Sequence, residues 1–206
     1  MQNLVNQVKE LKKTKIKEII NNRIAEFEQA GKSSFSRIFS ELCFCILTAN
    51  FNAERGIKIQ EKINEGFCSL PKEKLALKLK DLGHRFPNAR ANYIIEARKI
   101  KDKLKEIINN NGGKAREFLV ENVKGLGYKE ASHFLRNIGK RNLAIIDFHI
   151  LDILEANRLI KKPKSLSKSN YLEIEIKLKE LAGKLNLNLA ELDLYLWYLE
   201  TGKVLK

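Results

Sequence analysis

"VKGLGYKEASHFLRNIGKRNLAIIDFHIL" runs from Val123 to Leu151, and its reading decides the fold. Gly125 and Gly127 bracket one apolar residue, Lys129 stands two residues beyond the second glycine, and Asp147 follows 18 residues later at the end of an apolar run. Phe118, Leu119 and Val123 before the glycines, and Ala131, Phe134, Leu135 and Ile138 after them, recur at helical spacing. Residues 115–138 therefore read as helix, tight turn, helix. Glycine at both ends of the turn permits positive φ and close approach of a ligand to the backbone. The helix that follows begins with unpaired N–H groups, which suit an anion such as a backbone phosphate.

The same periodicity extends outward. Leu4, Val8, Leu11, Ile16, Ile20, Ile24 and Phe27 form the apolar stripe of one long amphipathic helix. A second helix starts at Ser33 or Ser34 and ends near residues 48–52, and others are expected over 53–67, 71–82 and 88–110. "YLEIEIKLKEL" (Tyr171–Leu181) alternates like a strand, yet Tyr171, Ile174, Leu178, Leu181 and Leu185 share one helical face. Asn170 and Glu173 offer a capping box, so the segment reads as helix. The basic, Ser-rich stretch before it, residues 160–170, reads as a flexible link. The fold class expected is all-α, with residues 1–206 as a single unit of two helical subdomains and the hairpin at the cleft between them.

The 206 residues carry 39 basic and 25 acidic side chains, a formal charge of +14. That excess suits a polyanion, because each cation placed near a phosphate releases counterions. A Lys-rich solvated surface of the kind thermophile proteins carry would balance its signs, and this one does not. The longest apolar run, Leu42–Leu47, is far short of the ~20 residues a bilayer crossing needs, and the N-terminus lacks a signal-peptide h-region. No membrane partner is expected, and the protein reads as cytoplasmic. Cys43, Cys45 and Cys68 read as buried free thiols, and His84, His133 and His149 are too scattered for a metal site.

Lys129 and Asp147 supply a chemistry. An amine attacks only when unprotonated, and a solvated lysine, at a pKa of ~10.4, rarely is; burial, helix N-terminal amides and neighbouring cations make one available. Such an amine could attack a sugar C1′ and expel the base, leaving a Schiff base, while a carboxylate steadies the charge that builds on the sugar. Taken singly, Lys129 reads as a surface lysine and Asp147 as an N-cap. Behind a glycine hairpin in a basic helical chain, the pair points to catalysis.

Together the hairpin, "YKEA" with Lys129 and "IIDFH" with Asp147 resemble the HhH-GPD superfamily of DNA glycosylases, in particular its bifunctional glycosylase/lyase members. Lys124 stands where the hairpin of that superfamily has an apolar residue, and Ala144–Ile146 replace its usual Gly-Pro. The tail "ELDLYLWYLETGKVLK", ending at Lys206, is similar to that of the archaeal-type 8-oxoguanine DNA glycosylases. The resemblance implies excision of 8-oxoguanine from damaged double-stranded DNA, with strand cleavage by β-elimination and no metal or small-molecule cofactor, by a monomer. It implies Lys129 and Asp147 as catalytic residues, and Gly125, Gly127 and His149 as contacts to the DNA backbone. Lys206 would recognise the base, with Phe86 and Trp197 packing on it once flipped. The iron–sulfur branch is set aside because no cysteine follows Cys68. Three rivals remain: a monofunctional glycosylase working through Asp147, a non-catalytic DNA-binding module, and an RNA-binding protein, which the charge alone would fit.

Overall fold

A computed structural model describes residues 2–206, and among them there is helix and irregular chain but no strand. The helices are α1 (Gln2–Leu11), α2 (Ile16–Gly31), α3 (Phe35–Thr48), α4 (Ala53–Ile63), α5 (Gly66–Ser69), α6 (Lys72–Asp81) and α7 (Pro87–Arg98). They continue with α8 (Lys101–Ile107), α9 (Gly112–Asn122), α10 (Tyr128–Asn137), α11 (Phe148–Ala156), α12 (Lys168–Leu185) and α13 (Leu189–Thr201). None is long and apolar enough to cross a membrane.

Four boundaries differ from the sequence reading; the helix expected over 53–67 ends at Ile63, where Asn64 takes φ 45°, and the short α5 follows. The single helix expected over Leu4–Phe27 is two, because the five-residue step from Leu11 to Ile16 slips out of helical phase. Thr14 Oγ1 accepts the Ile16 N–H there at 3.2 Å and restarts the chain as α2. The helix expected over 88–110 breaks after Arg98, whose Nε donates to the Phe67 carbonyl at 2.7 Å. The "YLEIEIKLKEL" segment is helical, but α12 begins earlier than its Asn170–Glu173 signal suggests, capped instead by Ser167 Oγ on the Asn170 N–H.

Two hydrophobic cores result. In the first, α3 is buried on nearly every face, with Leu42, Phe44 and Leu47 fully enclosed by residues of α4, α6, α7, α9 and α10. In the second, Val8 and Ile20 from α1 and α2 meet Leu154, Tyr171, Leu178 and Tyr195 from α11, α12 and α13. The second core thus joins the two ends of the chain around the first. Its connections cross where a Cβ on Gly31 would lie 2.2 Å from the Ile138 carbonyl oxygen, a contact only glycine permits.

A buried polar clamp ties the cores together. Arg116 on α9 grips Glu175 on α12 through two hydrogen bonds, at 2.6 and 3.1 Å, and Glu175 also accepts the Ala144 N–H at 2.9 Å. The Tyr171 hydroxyl donates to the Ala144 carbonyl at 2.7 Å and accepts the Ile146 N–H at 3.2 Å. Burial pushes the Glu175 carboxyl up, but Arg116 and the Ala144 amide outweigh it and hold it below the usual carboxylate range. Glu175→Gln leaves Arg116 buried without a counter-charge and should cost about 3 kcal/mol at pH 7. A carboxylate held low contributes above its unfolded pKa and loses that contribution as pH falls through the folded one. The gap between wild type and variant in thermal unfolding should therefore narrow below pH ~4.

Candidate active site between the two cores

The hairpin is anchored by its apolar residues: Val123 and Leu126 are buried in the first core. Gly125 takes φ +87°, and a Cβ there would lie 2.7 Å from the Tyr93 ring. Gly127 does not use the positive φ that glycine permits. It is extended, at φ −97° and ψ −171°, and serves as the N-cap of α10, its N–H donating to Glu130 Oε2 at 3.2 Å.

The second residue of α10 is Lys129. It is half-buried and shares one face with His133 and Arg136, four and seven residues on, and this face forms a wall of a cavity of about 730 Å³. Asp147 lines the same cavity. The irregular segment 143–146 ends there, and Asp147 Oδ1 caps α11 by accepting the Ile150 N–H at 3.0 Å. Its N-cap role and its place in the cavity are therefore one geometry and not alternatives. Helix α13 adds Asp193 and Trp197, one turn apart, and the tail adds Lys206.

The charges in this cavity constrain one another. Arg136, itself buried, pairs with Asp193 at 2.8 Å. Burial pushes the Asp193 carboxyl up to about 6, against the pull of Arg136 and with a further push from Asp147. Burial holds His133 well below the usual imidazole range, helped by Arg136, Lys129 and Lys206. Neither His133 ring nitrogen meets a partner at full hydrogen-bonding geometry, although the Lys206 main chain lies beside it. His149 stands 3.5 Å from Glu200 and edge-on to Trp197, with ring centroids 5.1 Å apart. The cavity thus brings the Lys129 amine, the Asp147 carboxylate, the Arg136–Asp193 pair and a neutral His133 imidazole to one place.

Of the residues singled out in the sequence, Lys129, Asp147, His149, Trp197 and Lys206 all line this cavity. Phe86 does not. It sits 39% exposed at the start of α7, flanked by the Arg85 and Arg90 guanidiniums at 4.8 and 5.8 Å from its ring. The aromatic ring on that side of the cavity is Phe51, stacked on His84 at 4.2 Å. His133, Arg136 and Asp193 were missed in the sequence. Their signal was helical spacing from residues already chosen: four and seven beyond Lys129, and four before Trp197.

An all-α fold in which the helix after a glycine hairpin offers a lysine, and the next helix's N-cap offers an aspartate, is that of the helix-hairpin-helix (HhH-GPD) DNA glycosylases. The sequence profile of the 8-oxoguanine DNA glycosylase family matches residues 20–187. The 8-oxoguanine DNA glycosylase/AP lyase of Methanocaldococcus jannaschii is 55% identical over 98% of this chain and 99% of its own length. That of Korarchaeum cryptofilum is 54% identical over 98% of each. The crystal structure of the M. jannaschii 8-oxoguanine glycosylase/lyase in complex with a 15mer DNA containing 8-oxoguanine superposes with a TM-score of 0.95, over 98% of this chain and 99% of that one. The chain belongs to the 8-oxoguanine DNA glycosylase family.

Gly125→Ala combines a strained φ with a clash against Tyr93 and should lower stability by about 1–3 kcal/mol. Gly183→Ala, a helical position with nothing within 4 Å of the added Cβ, should raise it by up to about 1 kcal/mol. Thermal unfolding of the two variants checks both signs.

Proposed function

We propose that the chain is a bifunctional repair enzyme that removes 8-oxoguanine from damaged double-stranded DNA and then cleaves the strand. The reading is carried by Lys129 and Asp147 facing one cavity beside the Gly125–Gly127 hairpin. It is supported by the relatives' activity as 8-oxoguanine DNA glycosylase/AP lyases.

Deprotonated Lys129 Nζ attacks C1′, and the glycosidic electron pair leaves with the base, which takes up a proton. Opening of the sugar gives a Schiff base between Nζ and C1′. Loss of a C2′ proton then expels the 3′ phosphate by β-elimination. Asp147 faces the positive charge that develops on the sugar, where a fixed carboxylate is worth more than in water. The hairpin at Gly125 and Gly127, together with His149, holds the DNA backbone, and such contacts position the strand without reading sequence. Trp197 and Lys206 meet the extruded base, whose unstacking they help offset. Phe86, exposed outside the cavity, is not part of this reading. We take the protein as a cytoplasmic monomer that needs no cofactor, as the sequence and its resemblance imply.

Lys129→Gln should abolish turnover on duplex DNA carrying 8-oxoguanine while leaving the dissociation constant within about 3-fold, since only the nucleophile is lost. Base release that persists without strand cleavage would assign the chemistry to Asp147 and water. Wild-type protein that binds but never releases the base would be a binding module. Deletion of Lys206 should reduce the preference for 8-oxoguanine over guanine more than it slows excision, measured as a ratio of single-turnover rates.

A further inference from the structure

The C-terminal lysine is not free at the cavity wall. Lys206 Nζ donates to both Glu41 carboxylate oxygens, at 3.0 and 3.1 Å, and to Gln60 Oε1. It also lies 4.6 Å from the centroid of the Phe44 ring. An ammonium has three N–H groups, so these acceptors match its whole capacity. Glu41 is 2% exposed in the middle of α3 and lines neither the catalytic cavity nor its neighbour. Its oxygens also accept Gln60 Nε2 and Asn137 Nδ2, both at 3.1 Å, and Arg37 stands 3.4 Å away. Burial works against the charge on Lys206, and Glu41 is the group that most restores it.

Leu205 and Lys206 also form a partition. A second cavity of about 470 Å³, lined by Arg23, Arg37, Gln60 and Asn64, lies on the far side of these two residues. With space on both sides, packing alone does not fix the tail. The seat on Glu41 and Gln60 does.

We propose that Glu41 is a positioning residue for base discrimination: its carboxylate seats the Lys206 ammonium and thereby sets where the last residue of the chain meets an extruded base. This rests on the reading of Lys206 given above. Glu41 has no contact with the cavity of its own, so its influence on the base passes through Lys206.

The test compares wild type, Glu41→Gln, Lys206→Met and the double variant in single-turnover excision from duplexes carrying 8-oxoguanine or guanine. Cleavage at a preformed abasic site, which has no base to read, is the control. Glu41→Gln should lower the 8-oxoguanine/guanine rate ratio about 10-fold, the loss of one charge-assisted hydrogen bond. Lys206→Met should lower it at least as much, and the double variant should match Lys206→Met alone. Abasic-site cleavage by Glu41→Gln should stay within about 3-fold of wild type. Removing one partner strands the other as a buried charge, so the double variant should recover part of the Tm that each single variant loses. Gln60→Met, which keeps the Lys206–Glu41 ion pair but removes the third acceptor and the Gln60 Nε2 hydrogen bonds to Glu41 and Ser40, should shift the ratio the same way by a smaller factor, and it serves if Glu41→Gln fails to fold. An unchanged ratio in Glu41→Gln beside a lowered one in Lys206→Met overturns the role of Glu41 and leaves that of Lys206 standing. An unchanged ratio in Lys206→Met overturns both. Equal losses on 8-oxoguanine and abasic DNA would mark Glu41 as merely structural and also overturn the proposal.

Discussion

The site depends on how a short piece of irregular backbone is held. Residues 143–146 belong to no helix and are buried, so their N–H and C=O groups must find partners that secondary structure does not provide. Glu175 and Tyr171 provide them for both Ala144 groups and for the Ile146 N–H, and Glu175 is itself held by Arg116 from the other core. The clamp therefore does two things at once. It joins the cores, and it delivers Asp147 to a fixed point opposite α10. A one-sided change would leave a buried charge or an orphaned amide, costs comparable with the whole margin of stability of a domain.

The cavity repeats this logic. Arg136 is buried and needs Asp193; Lys206 is half-buried and pairs with the buried Glu41. Each pair puts a cation beside the place where an anionic strand and an extruded base would come, with its partner anion set behind or beside it. His133 stands between these pairs as a neutral imidazole, kept so by burial and by the cations around it. Charge is thus distributed around Lys129 by helices from both cores, α3, α10 and α13, and not by the hairpin alone.

What was legible in the sequence was local. The glycine hairpin, the N-cap at Asp147, the N-cap at Ser34 and the helical face of α12 are each written within a few residues, and each was found. Phase slips were harder to see: the five-residue step from Leu11 to Ile16 and the break after Arg98 were smoothed into continuous helices. Least legible were pairings between distant residues. Nothing near Glu41 announces Lys206, 165 residues away, and nothing near Arg116 announces Glu175. The same distance explains Phe86 and Phe51. Both are aromatic residues near helix boundaries, and only the packing of α3 against α4 and α7 decides which one faces the cavity.

As the nucleophile, the amine of Lys129 becomes covalently bonded to the sugar in the proposed reaction. The most direct test is borohydride trapping on duplex DNA with a single 8-oxoguanine, comparing wild type with Lys129→Gln. A reduced protein–DNA adduct that forms with wild type and disappears in the variant is the expected outcome. An adduct of equal yield from Lys129→Gln, or base release by wild type with no adduct at all, would contradict it.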